Sequence, residues 1–471
     1  MKNTIKFILV LLIATVLWFT PPPTGLKPEA WHIAIAFLSA IALIVLEATS
    51  ILAASILATV VVIMSNTLST KAAFAGFSES FILLIIIAFL ISSVVIKTGL
   101  GERIALYMIK WFGKSSLGLG YAIMATDMLI APAFPSNTAR SGVLYPIALS
   151  LAHDAQSNPD EATRKRLGNY LMMVSMGGLS ISSTMWITAM AANLAGAKMA
   201  GDLGIQISYG DWFIYAVIPS MVGFAILPYF IYKICPPEIK NTPNAPEIAK
   251  QRLAELGKMS HMEKLTAGVF VFLVLGWAFT DQLNQLLDGV ILVERTAVAF
   301  LGLAILLIGK AFSDEDLKQQ GTALVTFIWF ALLYALSAGL NATGFMTFLG
   351  NILANEVAGL SPTVVYISLV VGYVLIHYFF VSQTAQMMAL FAVFLSVGLN
   401  AGVDGTMLAM MLLMATNFNS CITPQGSSAN VLFVGSGYLQ TREIYWYGGL
   451  ITLLNTVVYL TVGSAAIALL K

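Results

Sequence analysis

Apolar residues in this chain come in runs long enough to cross a bilayer, which takes about 20 residues of α-helix. Such runs fall near residues 5–20, 31–46, 50–66, 80–97, 168–195, 211–233, 263–280, 290–309, 322–340, 405–434 and 444–469. They predict about eleven transmembrane helices. Two further apolar stretches, 116–152 and 362–399, are too long for one crossing and carry small polar residues halfway. These interruptions read Pro135-Ser136-Asn137-Thr138 and Ser382-Gln383-Thr384. Each stretch reads as a re-entrant hairpin that enters the membrane and returns on the same side.

Charge gives an independent check. With the N-terminus in the cytoplasm and both stretches folded as hairpins, eighteen of the 24 Lys and Arg fall on the cytoplasmic side, among them Lys110, Lys114, Arg164, Lys165, Arg166, Lys233, Lys240, Lys250 and Arg252. Five fall outside (Lys27, Lys71, Lys198, Arg295 and Lys471), and Arg140 sits beside a hairpin break. This is the asymmetry of the positive-inside rule, and reading either stretch as a full crossing spoils it. Met1 to Thr20 reads as a retained first helix rather than a cleaved signal, because it lacks a small-x-small cleavage site.

Composition narrows the function. The 471 residues are 58% hydrophobic and only 10% charged, against about 25% charged in soluble domains. That argues against a water-soluble enzyme. A net charge of +1 offers no basic surplus for nucleic acid. Cys235 and Cys421 lie far apart and make no metal or redox motif.

The expected organisation is a first helix and external loop (1–30), a first repeat with hairpin 116–152 (31–233), a cytoplasmic linker (234–262) and a second repeat with hairpin 362–399 (263–471). The linker contains Pro236, Pro237, Pro243 and Pro246. The halves match in order: an amphipathic stretch (Arg103 to Phe112, Phe345 to Leu353), a hairpin, then a span broken by small polar residues. Ser-Asn-Thr-Ala at 136–139 answers Ser-Gln-Thr-Ala at 382–385, and Ala192-Asn193 answers Ala429-Asn430. On the charge assignment the hairpins dip from opposite sides, as in inverted repeats that hold substrate near the midplane. The expected fold class is an all-α polytopic membrane protein with two inverted repeats.

The breaks carry the candidate chemistry. A helix that begins inside the membrane offers free N–H groups and a positive dipole end, which suit a carboxylate. Ser136, Asn137 and Thr138 on one hairpin, and Ser382, Gln383 and Thr384 on the other, add hydroxyls and amides. Two such donor clusters suit a solute with a carboxylate at each end. Ser180 to Thr184 and Thr423-Pro424-Gln425-Gly426-Ser427-Ser428 form a second pair of breaks. Their released carbonyls suit a small cation or a substrate hydroxyl. As a charge-compensating residue Arg140 either faces the dicarboxylate or supplies fixed positive charge that a bound cation would otherwise supply; the other reading is a structural pair with Asp127 in the same hairpin. No phosphate loop, zinc motif or serine-nucleophile elbow is present, and His377 reads as a core residue.

The string Ala131 to Pro146, with its Pro-Ser-Asn-Thr-Ala-Arg core, resembles the first hairpin of the divalent anion:sodium symporter family, and within it the citrate:succinate and 2-oxoglutarate:malate antiporter branch. His377 to Gln386 is similar to the second hairpin, and Thr423 to Tyr438 to the later broken helix. The resemblance covers essentially the whole chain. It implies eleven spans with two hairpins, a homodimer, elevator-type movement and a di- or tricarboxylate substrate. Ser136, Asn137, Thr138, Ser382 and Thr384 would then contact substrate, with Thr423 and Pro424 nearby. Gln383 replaces the Asn usual in sodium-coupled members, and Gln386 stands where related antiporters often carry His.

The expected function is sodium-independent exchange of C4 or C5 dicarboxylates in the cell (inner) membrane, with no cofactor. The alternative is sodium-coupled symport, with the cation held near Asn137, Ser183, Thr184 and Ser427. An intramembrane hydrolase lacks a base in reach of a serine, and a passive anion channel fits two hairpins poorly.

Overall fold

The apolar runs fold as helices, and the polar punctuation between them forms caps and turns. The computed structural model describes residues 2–288, 290, 292–357 and 359–471. Its only strand-like pairing among these residues is a single bridge between Ser115 and Asn241. Nine described helices are long and apolar enough to cross a membrane. Six coincide with expected spans: Pro28–Val45, Ser80–Lys97, Tyr209–Ile234, His261–Ala278, Gly321–Ala342 and Thr441–Leu470. The other three, Ser116–Ala133, Pro362–Phe379 and Gln383–Asn400, are arms of the two interrupted stretches. Four expected spans are shorter apolar helices: Asn3–Trp18, Ile51–Met64, Arg295–Ile308 and Gly405–Phe418. The run 168–195 is two helices, Gly168–Met185 and Ala191–Asp202, joined through a short 3-10 turn at Ile187–Ala189, so the interruption falls just after Ser180 to Thr184, which are themselves helical.

The chain forms two compact units, each drawing on both halves of the sequence. One comprises residues 1–86, 194–207 and 320–413. In it Pro28–Val45, Ile51–Met64 and Gly321–Ala342 pack together, with Ser50 capping the second of these through the Ala53 N–H. The turn at Gly76 lies so close to Gly321–Ala342 that a Cβ there would meet the Ala331 carbonyl oxygen at 2.1 Å. Only glycine fits that approach. The amphipathic helix Phe345–Glu356 lies along Gln383–Asn400.

The other unit comprises residues 87–193, 208–319 and 414–471. At its centre Gly168–Met185 has every residue buried, including Ser175, Ser180, Ser182, Ser183 and Thr184. Tyr209–Ile234 packs along it, and a Gly448 on Thr441–Val458 closes on the Cys421 carbonyl. The turn of the first hairpin packs into an apolar cluster of Val95, Leu100, Ile130, Ala133 and Phe134, flanked by Ala139, Val143 and Phe270. This fixes where the hairpin turns. The expected linker contains a helix, Ala245–Leu256, that packs against Leu100–Phe112. Its end is held by Arg103, whose guanidinium donates to both Glu263 oxygens (2.7 and 3.1 Å) and to the Gly257 carbonyl (2.9 Å). Arg164 makes a similar forked contact with Glu443 at 2.8 and 3.1 Å. Such two-pronged pairs fix geometry as well as charge. Burial pushes the Cys235 thiol up to about 12, which keeps it protonated and inert.

Candidate functional site

The two interrupted stretches turn by the same steps. In the first, Ser116–Ile130 tightens into a 3-10 turn, Ala131–Ala133, and the Phe134 N–H donates to the Ala131 carbonyl at 3.0 Å. Ser136 is extended (φ −146°, ψ 121°) and accepts from the Ala139 N–H at 3.3 Å, capping the helix Asn137–Asp154. In the second, Pro362–Ile376 tightens into His377–Phe379, and the Phe380 N–H donates to the His377 carbonyl at 2.9 Å. Ser382 (φ −147°, ψ 122°) accepts from the Ala385 N–H at 3.2 Å and caps Gln383–Asn400. The two caps agree to within 1° in each dihedral. Each cap satisfies one of the unpaired first-turn donors, and the dipole of a long helix stands behind the rest.

The residues expected to bind substrate divide by exposure. Thr138 is exposed; Ser136, Ser382, Thr384 and Pro424 are half-buried; Asn137, Gln383 and Thr423 are buried. The Thr138 and Ser428 hydroxyls share a hydrogen bond of 2.7 Å, bringing the first tip to the later break.

Arg140 is fully buried behind the first tip and pairs with Asp127. Its Nη1 donates to Asp127 Oδ1 at 3.1 Å and to Ser182 Oγ at 2.6 Å. Its Nη2 donates to Asn137 Oδ1 and to Ser183 Oγ, both at 2.5 Å. The Ser182 hydroxyl donates to Asp127 Oδ2, and the Ser183 hydroxyl donates to Asn137 Oδ1 at 2.7 Å. The Arg140 charge is thus paired within the hairpin. Its reach toward the tip runs through Asn137, whose amide oxygen it holds. The second hairpin has a neutral counterpart, for Gln386 Nε2 donates to the Tyr373 carbonyl at 2.6 Å.

The later breaks share a lock of their own. Asn193 Nδ2 donates to the carbonyls of Ser183 (3.0 Å) and Trp186 (3.3 Å). Asn430 Nδ2 donates to those of Ser420 (2.9 Å) and Thr423 (3.3 Å). In both cases the carbonyls lie ten and seven residues before the asparagine. Carbonyls released where a helix stops inside the protein thereby regain donors. Asn417 Nδ2 donates to Asn193 Oδ1 at 2.8 Å, and the Ala191 N–H donates to the Pro135 carbonyl at 3.0 Å.

The oxygens expected for a sodium ion are mostly engaged. Ser183 uses its hydroxyl on Asn137 and its carbonyl on Asn193. The Thr184 hydroxyl donates to the Ser180 carbonyl at 2.7 Å, and the Thr184 carbonyl accepts from Trp212 Nε1 at 3.0 Å. Ser427 Oγ accepts from the Ala429 N–H at 3.3 Å. Among the described residues no cluster of three or more His, Cys, Asp and Glu is placed to hold a metal.

Sequence reasoning matched Asn193 to Asn430 without giving them a task, and it passed over Asn417, Asn455 and Tyr459. Asn455 Nδ2 donates to Ser180 Oγ at 3.1 Å; the Tyr459 hydroxyl meets Ser220 Oγ at 3.0 Å and its ring stacks on Phe418 at 4.9 Å. The signal was present, since Asn455 and Tyr459 stand one turn apart in a mostly apolar run.

Comparison with known proteins agrees with this architecture. Residues 1–470 match the family model for the sodium:sulfate symporter transmembrane region. The chain is 35% identical over 462 residues to YflS of Bacillus subtilis (strain 168), covering 98% of this chain and 95% of that one. It is 33% identical to dicarboxylate transporter 2, chloroplastic, of Spinacia oleracea, over 98% of this chain and 81% of that one. It is 30% identical to the L-tartrate/succinate antiporter of Escherichia coli (strain 536 / UPEC), over 97% and 96%. In three dimensions it resembles the YdaH transporter of Alcanivorax borkumensis, with a TM-score of 0.59, 14% identity and coverage of 99% and 98%. That likeness speaks for the fold. The chain is a member of the sodium:sulfate symporter transmembrane-region family, which are multi-pass membrane transporters and not enzymes.

Proposed function

We propose that this protein exchanges C4 or C5 dicarboxylates, of the succinate, malate or 2-oxoglutarate type, without sodium. The observation that carries the reading is the pair of identical serine caps at Ser136 and Ser382. Each starts a helix of 18 residues with hydroxyl and amide side chains on its first turn. A carboxylate fits such an N-terminus. The relatives named for dicarboxylates and for tartrate/succinate support this substrate class. Ser136, Asn137, Thr138, Ser382, Gln383 and Thr384 are the proposed substrate contacts, with Thr423 and Pro424 near them.

The engaged oxygens around Ser183 and Thr184 support sodium independence. Arg140 would act there as a permanent cation whose hydrogen bonds fix Asn137, where a bound ion would otherwise order the same groups. One observation favours the sodium-coupled alternative: the buried Thr423 hydroxyl has no hydrogen-bond partner among the described residues. We further propose elevator-type alternating access, a homodimer, placement in the inner membrane and a cytoplasmic N-terminus.

The test is uptake of labelled succinate into proteoliposomes. Exchange predicts uptake only into vesicles preloaded with dicarboxylate, unchanged when sodium is replaced by choline. Strong uptake into empty vesicles under a sodium gradient would overturn it.

A further inference from the structure

We infer that Asn193 is a positioning residue that joins the two later breaks and, through Ser183, sets the orientation of Asn137 at the first tip. The inference rests on the proposed substrate site at that tip. Asn193 is fully buried and touches none of the proposed substrate contacts in the hydrogen bonds described above. Both ends of its amide are committed. The nitrogen end clamps the Ser183 and Trp186 carbonyls, and the oxygen end receives Asn417 Nδ2.

Three consequences follow from these bonds. The clamp on the Ser183 carbonyl fixes the backbone that carries the Ser183 hydroxyl, and that hydroxyl is one of two donors holding Asn137 Oδ1. The Asn137 amide therefore keeps its oxygen toward the buried network and its NH2 end away from the guanidinium. Two residues before Asn193, the Ala191 N–H holds the Pro135 carbonyl, so the same short segment also holds the tip backbone. The bond from Asn417 then ties this assembly to the helix that leads into the second break.

Asn430 makes the same carbonyl clamp within its own break. The difference between the two asparagines is the Asn417 bond, which gives Asn193 a linking role in addition to the clamping one. Satisfied buried polar networks of this kind rigidify the groups they hold.

The experiment measures succinate affinity and transport of purified protein for Asn193→Ala, Asn193→Asp, Asn417→Ala and the Asn193→Ala/Asn417→Ala double variant. Asn193→Asp keeps an acceptor for Asn417 and loses both carbonyl donors. Expected is a rise in KM of about tenfold for Asn193→Ala and Asn193→Asp and of a few-fold for Asn417→Ala, as for loss of one or two buried hydrogen bonds. The maximal exchange rate per folded transporter should change by less than about twofold. The double variant should be no weaker than Asn193→Ala alone, because coupled residues are not additive.

An unchanged KM in all three single variants would overturn the inference, as would strictly additive losses or a fall in maximal rate alone. If Asn193→Ala does not fold, Asn417→Ala, which removes the bond to Asn193 and leaves its carbonyl clamp in place, decides by the same KM criterion. Wild-type protein that binds no dicarboxylate would instead refute the proposed function, so the two failures are distinguishable.

Discussion

Arg140 and Gln386 occupy the same place in the two tip helices, and each reaches back thirteen residues to brace the arm that precedes it. Arg140 does so with an ion pair to Asp127, and Gln386 with an amide hydrogen bond to the Tyr373 carbonyl. The backbone spacing is shared; only the chemistry of the brace differs. Removing one member of a buried pair leaves a lone charge, which costs about 3–5 kcal/mol. Asp127→Asn should therefore lower the melting temperature in detergent sharply. Asp127→Asn combined with Arg140→Gln, which imitates the second brace, should recover most of the loss. A single variant as stable as wild type would contradict the pairing.

The proposed sodium independence turns on Arg140 as well. The stabilised Asp127→Asn/Arg140→Gln protein should lose exchange or require a cation for it. Sodium-free exchange at the wild-type rate would remove the guanidinium from the mechanism. Counterflow of labelled dicarboxylate with and without sodium reads the difference.

Asn137→Ala deletes the tip amide and frees Arg140 Nη2 from one acceptor. Dicarboxylate affinity should fall about tenfold or more, the loss expected for a buried hydrogen bond to a charged group. Isothermal titration with succinate measures it. Retained affinity in a folded variant would contradict a site at this tip.

The caps make a smaller, symmetrical prediction. Ser136→Ala and Ser382→Ala should each destabilise the protein by about 1 kcal/mol, the usual cost of losing a side-chain cap. Glycine should be milder than alanine at both positions. Thermal melts of the four variants test this, and a large difference between the two hairpins would show that their local geometry is not equivalent in solution.

Gly448 lies where a Cβ would approach the Cys421 carbonyl oxygen to 2.0 Å. Gly448→Ala must push Thr441–Val458 off the second break. Transport should fall while the protein still reaches the membrane, as judged by surface-corrected uptake. Normal uptake would show that the break tolerates displacement.

Much of this architecture was legible in the chain. Ser136 and Ser382 were readable as helix starts because a small hydroxyl residue after an apolar run, followed by another helix, is a local signal. That Arg140 reaches Asp127 was not readable. It depends on how tightly the chain turns between Asp127 and Arg140, and the 3-10 turn at Ala131–Ala133 decides it. The segment 234–262 read as a linker because its prolines and charges hide a helix, Ala245–Leu256, that docks mainly through small residues such as Ala249. The task of Asn193 was hidden for a different reason: spacing alone does not say which released carbonyl an amide will reach.

The buried helix Gly168–Met185 has a consequence for how the protein is made. Although it has 18 residues, it is absent from the nine helices apolar enough to span a membrane by themselves. With serines and glycines on every side, it would gain little from lipid while isolated. Its place in the bilayer has to be secured by neighbours such as Tyr209–Ile234, which emerges later from the ribosome. Insertion of this segment is thus expected to wait on assembly, and defects in the later helices should appear first as failed biogenesis of an earlier one.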